Sequence, residues 1–240
     1  MHNSPETAKE ALRILRQIRV TFSDGSQKNG SGFIGPQPDT VITCAHLVSE
    51  PKLSPTKFNV GGKQAKLLEL YSDIDLAVLD CQEQDTCKLG DANALVVGDA
   101  LMFAGIPAGV AGPSIFSGIL SARGKGLVEF PKCELLQING MINSGNSGGP
   151  VLKAGDNSVI GVVTAKFVPL LREIDNLRDI LRNIPQFPSE VGVGQVDFSK
   201  FVNLTVSALR SISGSLRLVQ VGTGYAVPIN LMPQLRRPRR

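Results

Sequence analysis

Aromatic residues are scarce in this sequence, which has no tryptophan, two tyrosines and 5% aromatic residues in total. Its core must therefore be built mainly from leucine, isoleucine and valine. Histidine is scarce as well, with two residues in 240, and the four cysteines include no Cys-x-x-Cys pair. Because these residues lack the spacing of metal ligands, we expect neither a metal nor another cofactor. No apolar run has the uninterrupted length of a membrane span, so we also expect no membrane partner.

The first twenty residues contain no apolar stretch of the kind found in signal peptides. We interpret the four cysteines as reduced, partly buried thiols, while a bridge between Cys81 and Cys87 stays open as an alternative. These two observations together predict a cytoplasmic protein.

The net charge of +4 comes from Arg236, Arg237, Arg239 and Arg240, since the remainder of the chain has 21 basic and 21 acidic residues. No aromatic residues alternate with these arginines, as they do in many segments that bind single-stranded nucleic acid. Gly124-Lys125-Gly126 lacks the spacing of a phosphate-binding loop and is typical of a hairpin. We therefore expect a solvated tail or a linker, and no specific nucleic-acid partner.

A glycine-rich turn, Asn143 to Pro150, contains the residue that we consider first as a nucleophile, Ser147. A serine hydroxyl needs a base within hydrogen-bond reach and backbone N–H groups directed at the developing oxyanion. The glycines allow a substrate carbonyl to approach the main chain, so the N–H groups of Gly145 and Ser147 are candidate oxyanion donors. The alternative is an ordinary Gly/Ser/Asn turn with a structural role.

His46 is the candidate base, because the other histidine, His2, lies in a terminus that we expect to fray. It follows a β-branched run typical of a strand. Two carboxylates, Asp73 and Asp75, precede a second apolar strand pattern and compete for the position that orients the imidazole. We favour Asp75. If Asp73 took this position, the following residues would shift and a second charge would fall at a position expected to be buried, at substantial desolvation cost. We therefore interpret Asp73 as a turn residue.

The order His, Asp, Ser and the sequence around each residue resemble the trypsin-like (chymotrypsin-fold) serine proteases, and above all their HtrA/Deg branch. The similar blocks, spread over about residues 18 to 168 and 222 to 231, are Gly30 to Ile34, Thr43 to His46, Asp75 to Leu79, Val97 to Asp99, Ser117 to Ala122, Gly145 to Pro150, Gly161 to Ala165 and Gly224 to Pro228.

This resemblance implies an all-β fold of two six-stranded antiparallel β-barrels. It also implies a serine endopeptidase that acts on proteins or peptides, with catalytic residues His46, Asp75 and Ser147 and an oxyanion hole made by Gly145 and Ser147. A peptide-binding PDZ domain, which HtrA relatives often carry, is not expected after Pro228.

We expect one trypsin-like protease domain over residues 1 to 240, with an N-terminal barrel over about 18 to 97 and a C-terminal barrel over about 98 to 232. A helix should start near Ser4-Pro5. Its apolar face is predicted to include Ala8, Leu12, Leu15 and Ile18.

The sequence departs from the family pattern between about residues 169 and 221, where its spacing of apolar residues predicts a helical insertion. Leu170, Leu171, Ile174, Leu177, Leu181 and Ile184 have helical spacing up to Pro185, and Phe198, Val202, Thr205, Leu209 and Ile212 repeat it up to Gly214. We favour a helical pair packed on the barrel; the alternative is a lid or a partner-binding surface that regulates the enzyme. Two alternatives for the whole chain remain: a catalytically silent protease-like binding or scaffold module, and a protease module of a larger signalling or defence protein that is active only with a partner. The sequence leaves the oligomeric state open.

By the same resemblance, Met141 corresponds to the base of the primary specificity pocket, where enzymes that cut after Lys or Arg have an acidic residue. The other predicted pocket residues are Ile142, Thr164, Ala165, Lys166 and Gly224 to Ala226. With no carboxylate among them, cleavage after Lys or Arg is disfavoured and Val, Ala, Leu or Met is preferred. Lys166 leaves one alternative open, because an ammonium turned into the pocket would accept an acidic side chain.

Overall fold

The computed structural model describes residues 5–108, 112–124, 133–166, 180, 192–193, 196–216 and 222–232. The chain divides into two units, Met1–Phe167 together with Val221–Arg240, and Val168–Gln220. Each unit is described by itself.

The first barrel of the larger unit contains six antiparallel strands, closed in the order β1-β2-β3-β6-β5-β4. The strands are β1 (Leu15–Phe22), β2 (Gln27–Ile34), β3 (Thr40–Thr43), β4 (Pro55–Val60), β5 (Lys63–Tyr71) and β6 (Leu76–Asp80). Strands β3 and β6 are buried along almost their whole length, as expected of apolar, β-branched segments in the interior of a closed sheet.

The second barrel also contains six antiparallel strands and closes in the order β10-β11-β14-β9-β8-β7. Its strands are β7 (Ala100–Gly105), β8 (Ser114–Gly124), β9 (Leu135–Asn139), β10 (Pro150–Lys153), β11 (Val159–Lys166) and, after two short strands of the other unit, β14 (Thr223–Pro228). The predicted all-β fold of two six-stranded barrels is confirmed. The described core is mainly leucine, isoleucine and valine, with Phe33 and Phe103 as its largest fully buried side chains.

Helix α1 (Pro5–Ile14) leads directly into β1 and packs on β7 and β10 of the second barrel. The predicted apolar face is wrong: Ala11 and Ile14 are buried, whereas Leu12 is 41% exposed. The reason is that the helix ends before Leu15, so Leu15 and Ile18 follow the two-residue period of a strand. Thr7 Oγ1 donates a hydrogen bond to Asn157 Oδ1 over 2.7 Å, which ties the helix to the second barrel.

Strand pairing explains why two predicted site residues meet. Strands β3 and β6 are antiparallel neighbours, with Thr43 opposite Ala77. The residues just after β3 and those just before β6 therefore lie at the same end of the barrel. Helix α2 (Ala45–Val48) follows β3 there, and a 3-10 turn, Ser72–Ile74, leads to β6.

In the smaller unit, β12 (Gly192–Val193) pairs with β13 (Val196–Asp197), and helix α3 (Phe198–Leu216) follows. Helix α3 covers the second predicted helical pattern and continues past Gly214. Of the first pattern, 170 to 184, only Ile180 is among the described residues; it is helical and exposed. No helix in the described ranges combines the length and apolarity that a membrane crossing requires.

Candidate active site

His46 and Asp75 are in direct contact at the end of the first barrel. His46 Nδ1 lies 2.8 Å from Asp75 Oδ2 and 3.1 Å from Oδ1. The backbone N–H of His46 also donates to Asp75 Oδ1 over 2.8 Å. An ionised carboxylate only accepts hydrogen bonds, so it selects the tautomer with the proton on Nδ1 and leaves Nε2 as a proton acceptor. Asp73 lies in the 3-10 turn, so the structure brings Asp75 and not Asp73 to the imidazole.

Asp75 is buried and occupies the left-handed region of the backbone, with φ 55°. Aspartate tolerates this conformation better than most residues, and the neighbouring strands hold it there. Burial by itself would raise the pKa of Asp75. Hydrogen bonding and charge from His46, together with a hydrogen bond from Thr164, outweigh burial and hold the pKa of Asp75 below its ordinary value. Asp75 is thus ionised at neutral pH and able to stabilise an imidazolium.

Helix α2, which carries His46, is anchored at its C-terminal end by Lys28 on β2. Lys28 Nζ donates to the carbonyl oxygens of His46 (2.7 Å) and Ser49 (3.3 Å), and it also contacts Glu50. These last carbonyls of a short helix have no partner within the helix, and a cation is favourable beside them. The imidazole is therefore positioned both by Asp75 and by a charge on the neighbouring strand.

Ser147 lies on the second barrel, and its hydroxyl donates to the carbonyl oxygen of Thr164 over 3.1 Å. The hydroxyl of the same Thr164 donates to Asp75 Oδ2. In the described part of the chain, no hydrogen bond joins Ser147 to His46. Thr164 thus links the predicted nucleophile to the predicted orienting acid. The sequence did not indicate this role, since it predicted Thr164 only as a pocket residue.

The turn around Ser147 depends on glycine. Gly145 has φ +95° and Gly148 φ +85°. A Cβ at Gly145 would overlap the carbonyl of Ile106, and one at Gly148 would overlap the carbonyl of Ser31. Within the described residues, the N–H groups of Gly145 and Ser147 have no protein acceptor. Both predicted oxyanion donors therefore remain available to a ligand.

Cys44, two residues before His46, has its sulfur close to the side chains of His46 and Asp75: one possible ligand atom from each of the three residues lies within 4.8 Å of the others. The thiol of Cys44 is fully buried and lies 3.2 Å from the carbonyl of Val163. Burial, reinforced by Asp75, raises the pKa of Cys44 well above its ordinary value. The thiol is thus protonated and His46 Nδ1 is occupied by Asp75, so these three residues do not fit a metal site and Cys44 does not fit a nucleophile.

The predicted pocket residues differ in their surroundings. Ile142 is buried and packs so closely on Gly224 that any side chain there would overlap it. Met141 is 52% exposed. Thr164 is buried, and Ala165 and Lys166 contribute backbone to β11 while their side chains lie outside the described residues. Ile142 is therefore the predicted pocket residue in contact with Gly224.

Comparison with known proteins identifies the family of this chain. Residues 30–162 match the model of the trypsin-like peptidase domain. The chain belongs to the trypsin-like peptidase domain family. It is similar to proteins described as probable periplasmic serine endoprotease DegP-like: 36% identity over 145 residues for the Brucella suis protein, covering 58% of this chain and 28% of the relative. For the Bartonella henselae protein the identity is 34% over 173 residues, and the alignment covers 70% of this chain and 33% of that protein. The chain thus spans about a third or less of these curated relatives.

Solved structures give the same result for the fold. HtrA-type protease AlgW with a tripeptide aligns with a TM-score of 0.64 at 22% identity, covering 94% of this chain and 59% of that one. Deg5 aligns with a TM-score of 0.55 at 26% identity, and the alignment covers 68% of this chain and 84% of Deg5. The predicted resemblance to the HtrA/Deg branch is confirmed.

The predicted cytoplasmic location is wrong. The DegP-like relatives from Brucella suis, Rhizobium meliloti and Rickettsia prowazekii are all described as periplasmic. The prediction depended partly on unpaired cysteines. All four are free and buried, and a buried free cysteine behaves as a small apolar residue, so its reduced state does not report the compartment.

Proposed function

We propose that this chain is a serine endopeptidase that cleaves peptide bonds through an acyl-enzyme intermediate, with Ser147 as nucleophile. The observation that carries the proposal is the contact of His46 Nδ1 with the buried, ionised Asp75. This contact leaves His46 Nε2 free to act as a general base. The family membership and the glycine-built turn support the same assignment.

In the proposed reaction, Ser147 Oγ attacks the carbonyl carbon of the substrate while His46 Nε2 takes the hydroxyl proton. The negative charge that develops on the carbonyl oxygen is stabilised by the N–H groups of Gly145 and Ser147. His46 then gives its proton to the leaving amine, and an acyl-enzyme ester remains. Water, deprotonated by His46, releases the acid product and restores Ser147. Asp75 stays ionised throughout and stabilises the imidazolium.

For the substrate, we propose proteins or peptides with a small aliphatic side chain before the cleaved bond. Ile142 against Gly224 supports an apolar, shallow pocket. A Lys or Arg side chain would lose its hydration there without meeting a carboxylate, at a cost of several kcal/mol by general estimates. Lys166 keeps the alternative of an acidic side chain open, and a positional scanning peptide library distinguishes the two. A dominant preference for Lys or Arg would contradict the pocket assignment.

We propose further that the insertion regulates this activity. The smaller unit spans Val168–Gln220, and its first residue follows Thr164 by four positions in the sequence. Lys166 on β11 pairs directly with Gly224 on β14, so a short loop suffices to join the two strands. Replacing residues 168–220 with a Gly/Ser hairpin loop should leave the barrels folded and raise turnover of small peptide esters. Unchanged turnover in the folded variant would argue against regulation.

The experiment that tests the proposed activity is labelling with a fluorophosphonate probe. Wild-type protein should be labelled at Ser147, and both Ser147→Ala and His46→Ala should abolish labelling. As a matched control, Ser144→Ala removes another serine of the same turn and should keep labelling. Labelling that persists in Ser147→Ala would refute the nucleophile. A folded wild type without labelling would favour the alternative of a protease-like binding module.

A further inference from the structure

We infer that Ser31, on β2 of the first barrel, is a positioning residue for the oxyanion hole on the second barrel. The inference rests on the proposed function and extends it to a residue that contacts neither the substrate nor the reacting atoms. Ser31 is fully buried, and its hydroxyl donates to the carbonyl oxygen of Gly145 over 2.6 Å. The hydroxyl oxygen of Ser31 in turn accepts a hydrogen bond from the backbone N–H of Ile106 over 2.9 Å.

Three consecutive carbonyls of the turn are held in fixed directions. Ser144 O accepts the N–H of Ala108 (2.8 Å), Gly145 O accepts the Ser31 hydroxyl (2.6 Å) and Asn146 O accepts the N–H of Gly149 (2.9 Å). The described peptides include no cis bond. In a trans peptide the N–H points opposite to the preceding C=O. The directions of the Gly145 and Ser147 N–H groups are thus set by the partners of Ser144 O and Asn146 O.

Ser31 connects these restraints. Through Gly145 O it fixes the central peptide of the turn, and through Ile106 N it holds the segment that supplies Ala108 N–H to Ser144 O. Its own backbone N–H donates to Ser147 O over 2.9 Å. One buried residue of the first barrel therefore contacts the turn at two carbonyls and also holds the segment that supports it.

The side chain next to the nucleophile does not supply this anchoring. Asn146 is fully buried, yet neither its amide nitrogen nor its amide oxygen has a hydrogen-bond partner among the described residues. Contacts that hold the turn against the rest of the protein are therefore made by its backbone carbonyls, with Ser31 and Ala108 as partners. Because Ser31 lies on the first barrel with His46 and Asp75, it also couples the oxyanion turn to the barrel that carries the base.

The test compares Ser31→Ala and Ser31→Cys with Thr43→Val. Thr43 Oγ1 donates to Ser31 O over 2.7 Å, so Thr43→Val also removes one buried hydrogen bond of this region but leaves the Ser31 hydroxyl in place. Loss of an oxyanion donor itself lowers kcat by about 10²–10³-fold. Ser31→Ala keeps both donors and only loosens their positions, so we expect a smaller fall in kcat, of about 10- to 100-fold. KM should stay within about twofold. Ser31→Cys, similar in size and a weaker donor, should fall between wild type and Ser31→Ala, and Thr43→Val should stay close to wild type.

A second readout separates positioning from folding. The affinity for an aliphatic peptide boronate, whose tetrahedral adduct places an oxygen at the oxyanion hole, should fall in Ser31→Ala by the same factor as kcat. The inference is overturned when wild type is active and Ser31→Ala loses no more kcat than Thr43→Val. Should wild type be inactive, the proposed function fails by itself, and crystal structures of wild type and Ser31→Ala still decide the positioning. A reoriented Gly145–Asn146 peptide in the variant supports it, and an unchanged turn overturns it.

Discussion

The hydroxyl of Ser147 donates to the carbonyl oxygen of Thr164 over 3.1 Å, and the hydroxyl of Thr164 donates in turn to Asp75. In the proposed reaction, Ser147 must therefore leave this acceptor and rotate about χ1 before His46 can take its proton. A neutral hydrogen bond contributes about 1 kcal/mol net, so breaking it slows acylation by a factor of about five. The resting arrangement is compatible with catalysis, because catalytic hydrogen bonds often form only when substrate binds.

Thr164→Val tests the hydrogen bond from the Thr164 hydroxyl to Asp75. The variant keeps the backbone carbonyl and the shape of the side chain but removes the donor to Asp75. A hydrogen bond to a charged group contributes about 1.5–3 kcal/mol, so we expect kcat to fall by about tenfold or more. Thr164→Ser should keep most of the activity. Equal losses in the two variants, measured with a peptide ester and compared with thermal unfolding, would show that packing rather than the hydroxyl is important.

Ile142→Ala should change the size of the accepted side chain. Ile142 packs on Gly224, and truncation opens space in the predicted pocket. We expect kcat/KM for peptides with Leu or Phe before the cleaved bond to rise relative to Val by about 10-fold or more, since one or more methylenes contribute about 1–3 kcal/mol in an apolar pocket. Met141→Ala, at an exposed neighbour, is the control and should leave the ratio unchanged. A larger shift in the control would instead support Met141 as the base of the pocket, the position that the sequence resemblance implies.

Glu83 should make stability depend on pH in the acid range. Arg16 donates to Glu83 Oε1 (3.1 Å) and Oε2 (2.9 Å), and Lys63 Nζ lies 3.3 Å from Oε1. Hydrogen bonds from Arg16 and Lys63, with their charges, outweigh burial and lower the pKa of Glu83 below its ordinary value. A lowered pKa means that the folded state binds the proton less tightly than the unfolded state, so the contribution is complete above the unfolded pKa of about 4.3 and is lost as the pH falls through the folded value.

Urea unfolding of wild type and Glu83→Gln between pH 2.5 and 7 measures this contribution. At neutral pH the variant should be less stable by about 1–3 kcal/mol, because a hydrogen-bonded charge pair is broken. The difference should shrink below about pH 4 as Glu83 becomes protonated in both states of the wild type. Asp85→Asn, at a more exposed carboxylate that contacts Arg13, is the control and should show a much smaller difference. A gap between Glu83→Gln and wild type that is constant over the whole range would contradict the linkage.

The sequence sufficed for the parts of the site that depend on local pattern and strand pairing. His46 and Asp75 flank two apolar strands, and antiparallel pairing of those strands brings the two side chains together. The turn of Ser147 is visible because glycine is required at its positive φ angles.

The remaining contacts join side chains to groups far away in the chain, and such contacts leave no periodic signal. Ser31 reaches Gly145 across 114 residues, and Thr164 reaches Asp75 across 89. In the sequence Ser31 is only one residue of a glycine-rich strand. The face of α1 could not be predicted either, since the change from helix to strand after Ile14 has no proline or glycine to mark it.

Thiol reagents should leave the native protein both unmodified and active. All four cysteines are free and buried. Burial is the main reason that the pKa rises to about 11 for Cys81 and Cys133 and to about 12 for Cys87, and that the pKa of Cys44 rises well above its ordinary value. Only the thiolate reacts, so at pH 8 about 0.1% or less of each thiol is in the reactive form, against roughly a quarter of an ordinary cysteine.

Titration with Ellman's reagent should detect almost no thiol in native protein and four in denaturant, and iodoacetamide should leave fluorophosphonate labelling unchanged. Rapid loss of labelling with modification of Cys44 would mean that this thiol is open to solvent beside His46, and the assignment of Ser147 as the nucleophile would then have to be tested against Cys44→Ala.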